Sequence, residues 1–190
     1  MARPRSDDKR NAILQAATRV FAERGLAAAP TSAISKAAGI AEGTLFTYFA
    51  SKDALMNDLY CELKSQIAEQ LLRDFPVRED ARGKIGHIWT HFVRWGVANP
   101  AERKVLAQLT LTDTISVQSR QAGMRPFAEL ETLALDSIAS GVLRDYPVQF
   151  IATMMSAMAE ATMTFIGLDP DNAELHIRNG FTIFWTGIAT

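Results

Sequence analysis

Residues Ile34 to Lys52, ISKAAGIAEGTLFTYFASK, constrain the fold of this chain more than any other stretch. Ile34, Ala37 and Ala38 fall at i, i+3 and i+4 and so share one face of a helix. Gly39 follows where a chain reversal needs a backbone free to take positive φ. A second periodic set, Leu45, Phe46 and Phe49, then marks a helix of about two turns, with Thr44, Thr47 and Tyr48 on its other face. Two short helices joined by a glycine-containing turn make a helix-turn-helix, the motif that puts its second helix into the major groove of DNA.

The run Ala38-Gly39-Ile40-Ala41-Glu42-Gly43-Thr44-Leu45-Phe46-Thr47-Tyr48-Phe49-Ala50-Ser51-Lys52-Asp53-Ala54-Leu55 resembles the signature of the TetR family of bacterial transcriptional regulators, roughly A-G-V-x-x-G-T-L-Y-x-Y-F-x-x-K-x-x-L. Phe46 stands where that family often has Tyr, and Ala41-Glu42 where it often has Ser-Lys. Both departures touch the reading helix, so they leave the operator sequence open. Carried over residue by residue, the resemblance implies that Thr44 and Tyr48 contact backbone or base edges and that Lys52 pairs with a phosphate. It further implies that Ala41, Glu42, Phe46 and Thr47 face bases or a thymine methyl, and that Gly43 lets the backbones approach. Glu42, being acidic, must accept from cytosine N4 or point away.

Charge is distributed as this reading requires. The chain of 190 residues has a net charge of −1. Residues 1–52 hold eight Lys/Arg against four acids, a net +4, which leaves −5 on the remainder. A basic head on an acidic body is expected where only the head meets a polyanion. Hydrophobic residues at 48% suffice for a packed core. The single cysteine, Cys61, excludes an intrachain disulfide and points to a reducing compartment. Charges at Arg10, Arg19, Glu23 and Arg24 interrupt any signal-peptide core, and Glu160 sits within the apolar run Phe150 to Leu168, which reads as a core or dimer helix and not a membrane span. A cytoplasmic protein without membrane partners is expected.

Along the chain, residues 2–6 read as a solvated tail or as a basic arm touching phosphate or the minor groove. Asp7 and Asp8 suit the start of a first helix, whose apolar stripe is Ile13, Leu14, Ala17, Val20 and Phe21, and Gly25 suits its end. Pro30 fits the first position of the second helix, beside Thr31 and Ser32. Those hydroxyls serve equally as caps or as phosphate contacts, and the resemblance favours DNA. A seam of Leu55, Leu59, Leu63, Ile67, Leu71 and Phe75 predicts a helix over 52–75, long enough to tie a head to a body. Helices follow near 81–97, 101–111, 123–142, 147–166 and 171–189, with no strand-like alternation. The expected fold is all-α. Residues 1–52 form a three-helix, helix-turn-helix DNA-binding domain, joined by the long helix to an α-helical ligand-binding and dimerisation domain over 53–190.

The last two helices are apolar on more than one face, so they need partners on two sides. In the family the equivalent pair packs on its own copy to make a four-helix bundle, which implies a homodimer through residues such as Ile151, Met155, Phe165, Ile177, Phe181, Phe184 and Trp185. The alternative is burial within one subunit. Trp89, Phe92, Trp95, Met124, Phe127, Met154 and Met158 offer a pliable apolar wall, read either as filled core or as the cavity for the small-molecule effector that such regulators usually sense.

Catalysis has no constellation. There is no phosphate-binding glycine loop, no nucleophile elbow and no cysteine cluster. His87 and His91 stand at i, i+4 as a metal pair would, with a third ligand conceivable from Asp113, Glu160 or His176, but among Trp89, Phe92 and Trp95 they read as core or pocket lining. The second hypothesis is a ligand-binding or metal-dependent enzyme whose helical head serves protein contacts. The +4 head with Thr44, Tyr48 and Lys52 argues against it. The expectation is a ligand-released repressor on a palindromic double-stranded operator, with neither enzymatic activity nor resident cofactor or metal. An activator, or a regulator without ligand, fits the same residues.

Overall fold

The computed structural model describes residues 4–190, with side chains from Asp7 onward. Helices run over α1 Pro4–Arg24, α2 Thr31–Ala37, α3 Glu42–Tyr48, α4 Lys52–Leu72 and α5 Ala81–Ala98. They continue as α6 Pro100–Leu111, α7 Val117–Met124, α8 Ala128–Ala139, α9 Val148–Leu168 and α10 Ala173–Ile188. The only strand-type pairing among the described residues is one isolated bridge, Leu143 to Ala189. The fold is all-α.

Several expected boundaries move, each for a local reason. Ala2 and Arg3 of the basic stretch lie outside the described residues, and Pro4 already begins α1, so Asp7 falls in the first turn and not at its cap. Pro30 is the extended residue before α2 rather than its first helical position. The long helix stops at Leu72, short of Phe75, and Asp74 reverses the chain at φ 52°. The stretch read as a single helix over 123–142 is broken at Arg125–Phe127, where Pro126 has no amide to donate. Most of α7 occupies the interval read as a break over 112–121.

By packing, the described chain divides into two units. The first takes residues up to Ser65 together with Pro100–Met124; the second takes Gln66–Asn99 with Arg125–Thr190. In the first, Ile13, Leu14, Ala17 and Phe21 of α1, Ile34 of α2, Leu45 of α3 and Leu55, Leu59 and Leu63 of α4 close over one another. Val105, Leu109 and Ile115, far along the chain, complete that core. The Gln108 side chain also accepts from the Leu26 amide at 3.3 Å. In the second unit, Trp89 and Val93 of α5, Ile151, Ala159, Met163 and Ile166 of α9, and Ile177, Phe184 and Ile188 of α10 form the core. Trp89 is fully buried, stacks on Phe184 and donates its indole N–H to the Ile177 carbonyl at 2.9 Å, as a buried tryptophan must.

Candidate nucleic-acid interface

The α2–α3 motif is fixed from beneath. Ile34, Leu45 and Phe49 sink into the core of the first unit, which sets both helices relative to α1 and α4. Gly39 takes φ 67° in the turn, and the amides of Ala38, Gly39 and Ile40 bond back to the carbonyls of Ile34, Lys36 and Ser35. This left-handed closure is what the glycine permits.

Burying Leu45 and Phe49 turns the rest of α3 outward. Ala41, Glu42, Gly43 and Thr47 are exposed, Phe46 keeps 44% of its surface, and Thr44 and Tyr48 are half-buried. The spacing therefore misleads at Phe46: it shares the 3.6-residue period with Leu45, yet its ring lies on the open side. Nothing stands within 4 Å of where a Gly43 Cβ would be, so this helix start presents bare backbone outward. At the N-terminus of α2, Ser32 is exposed and Thr31 half-buried. Thr31 Oγ1 donates to Glu42 Oε1 at 2.7 Å, an inter-helix contact that no sequence spacing announces. Lys52 is not extended into solvent. Its Nζ donates to the Ala27 carbonyl at 3.2 Å and sits 5.9 Å from the centre of the Phe21 ring, tying the start of α4 to the α1–α2 loop. Arg10 likewise turns inward, 3.0 Å from Asp58 and over the Phe49 ring.

The residues expected to line a cavity scatter. Trp89 is core, Phe92 and Met158 pack against that core, and Trp95 is buried with its ring stacked on Phe92. Phe127 is half-buried, whereas Met154 and Met124 are exposed, Met124 in the first unit and the others in the second. The expected dimer set divides by burial within the subunit. Ile151, Ile177 and Phe184 keep at most 7% of their surface and have almost none left for a partner. Phe181, Trp185 and Met155 pack partly against the same core. Of that set Phe165 alone is exposed, at 60%, and it shares its exposure with Phe150 and Met154 on α9 and with Leu175 and Ile183 on α10, none of them in the expected dimer set.

His87 and His91 do meet, as rings stacked 3.8 Å apart at 25°. The lone pairs of an imidazole lie in the ring plane, so two nearly parallel rings do not converge on one ion. His91 Nδ1 pairs with the His87 carbonyl at 2.9 Å, and His176 Nε2 is 3.0 Å from the Asp169 carboxylate, which that contact holds below the usual carboxylate range. No group of three or more metal-ligating side chains occurs among the described residues.

An exposed helix carrying hydroxyls and an aromatic, seated on a packed helix-turn-helix, has the form of a DNA-reading head. Residues 13–59 match the model of the bacterial regulatory proteins, tetR family. By that match the helix-turn-helix head, through the start of α4, is of the tetR type. The chain is 34% identical over 73 residues to the fatty acid metabolism regulator protein of Bacillus subtilis, a match covering 38% of each protein. It is 26% identical to the HTH-type transcriptional regulator EthR of Mycobacterium tuberculosis over 97% of this chain and 88% of that one. The solved structure of a TetR family transcription regulator from Marinobacter aquaeolei VT8 superposes with a TM-score of 0.88 at 23% identity, over 98% of each chain. That likeness extends the shared fold well beyond the reading head.

Proposed function

We propose that this regulator is a repressor that binds a palindromic operator as a homodimer in the cytoplasm and is released by a small-molecule ligand. The observation that carries the reading is the α3 face: Glu42, Gly43, Phe46 and Thr47 are open to solvent on a helix whose opposite side is locked into a core. In this reading residues 1–52 read DNA, through Ser32, Ala41, Glu42, Gly43, Thr44, Phe46, Thr47 and Tyr48, with Thr31 supporting Glu42. Lys52 braces the head unless DNA draws it outward. Residues 53–190 hold the ligand and the partner copy, and of the expected lining Phe92, Trp95, Phe127 and Met158, all in the second unit, are the residues to probe for the effector.

Two-fold pairing is supported by the apolar surface that α9 and α10 leave open at Phe150, Met154, Phe165, Leu175 and Ile183. By length and composition α9 could also cross a membrane. Its buried face of Ile151, Ala159, Met163 and Ile166 within the second unit favours a helix that packs on protein. Two heads about 34–36 Å apart would meet successive major grooves. A ligand acts by preferring one arrangement of the dimer, and a tenfold change in operator affinity needs about 1.4 kcal/mol of that preference. One relative is named for fatty acid metabolism, so fatty acyl compounds are the first effector class to screen.

The test is fluorescence anisotropy against a randomised duplex pool, with the bound fraction selected and sequenced. Enrichment of a palindrome is expected, with an affinity that falls steeply with salt, about 0.9 in log–log slope per phosphate neutralised. Absence of binding at low salt would overturn the reading.

A further inference from the structure

Glu42 is the one acidic residue of α3, and it opens the helix that faces DNA in the reading above. A free carboxylate there would be repelled by the phosphates and would swing away on its flexible stem. The structure holds it instead. Thr31 Oγ1, at the start of α2, donates to Glu42 Oε1 at 2.7 Å and clips the two helix N-termini together. The hydroxyl proton engaged in that bond cannot at the same time go to a phosphate. Glu42 Oε2 is left with its lone pairs in an exposed side chain.

A carboxylate accepts and cannot donate, so the base edge it tolerates is set by elementary complementarity. In the major groove cytosine offers the N4 amino donor, guanine offers only the N7 and O6 acceptors, and thymine offers the O4 acceptor beside a methyl group. Adenine offers the N6 donor but places the N7 acceptor beside it, against the same negative charge. We propose that Glu42 is a specificity-determining residue that selects cytosine at one position of the operator half-site, and that Thr31 is the positioning residue that aims its carboxylate. This rests on the DNA-binding reading given under the proposed function.

The experiment is selection from a randomised duplex pool by the full-length wild type and by Glu42→Gln, Thr31→Val and Thr31→Ser. Wild type is expected to enrich cytosine at one half-site position by on the order of tenfold, the range of a well-made base contact. Glu42→Gln should shift that position toward adenine, because an amide can both donate to N7 and accept from N6. Thr31→Val should flatten the preference at that position and leave the others, and Thr31→Ser should restore it; loss of packing alone would not select among bases. Binding with unchanged base preferences in Glu42→Gln overturns the assignment while leaving the regulator standing. Unchanged preferences in Thr31→Val overturn the positioning role. A wild type that gathers no sequence and shows no affinity at low salt removes the DNA-binding reading itself, and the assignment falls with it.

Discussion

At His87 a proton is less welcome in the folded chain than in water. The buried Nε2 has no hydrogen-bond partner, and the ring is stacked on His91 and meets Phe75 edge-on. Desolvation, and then the His91 charge, lower its pKa from the ordinary 6.5, against the nearby backbone of Arg73 and Leu71 and the Asp74 carboxylate, which raise it. With the folded value depressed, the unfolded chain binds the proton more readily. Stability is therefore full above the unfolded value of about 6.5 and declines as pH falls through it toward the folded value. Thermal melts between about pH 7.5 and 5.5 should show a steeper loss of Tm for wild type than for His87→Gln, and equal slopes would clear this ring of the effect. At the same scale, the Thr31–Glu42 contact shows what a single sequence hides: both residues were visible as candidates, but eleven positions apart nothing in their spacing joins them.

The α2-turn-α3 element hangs on its turn. Gly39 sits at φ 67° with nothing within 4 Å of a built Cβ, so substitution meets backbone strain and no clash. Gly39→Ala should destabilise by roughly 1–2 kcal/mol, the cost of placing an L side chain in the left-handed region. Urea denaturation should show this as a lower midpoint at unchanged slope, and a neutral substitution would mean that the turn relaxes. This element was legible in the sequence because its signals are local: a glycine at the reversal and apolar residues at helical spacing on either side. α7 was not legible, because Val117–Met124 is polar with no clear stripe, and it meets Tyr60, Cys61 and Lys64 of α4, far back along the chain. The division of α9 and α10 into buried and open faces was equally hidden. Both helices are apolar on more than one face, so period alone did not say that Ile177 and Phe184 turn inward while Phe165 and Ile183 turn outward.

For the whole molecule, the proposed pairing rests on surface that one subunit leaves uncovered. Phe165 and Ile183 keep 60% and 65% of their area. Replacing both by Asp should leave the circular dichroism melt of the subunit nearly intact, while sedimentation shows a monomer and operator affinity drops by more than tenfold, since one head then binds alone. A dimer that survives the double substitution would place the interface elsewhere. The first packing unit has a further consequence. Its core is completed by Val105, Leu109 and Ile115, which arrive after an excursion of more than thirty residues through the second unit. The reading head is thus not a cassette that can be cut out at the end of α4. A chimera that borrows residues up to Ser65 from this chain and the rest from a relative would seat foreign side chains against α1 and α4, so altered operator choice is better engineered by grafting the face of α3 than by exchanging the head.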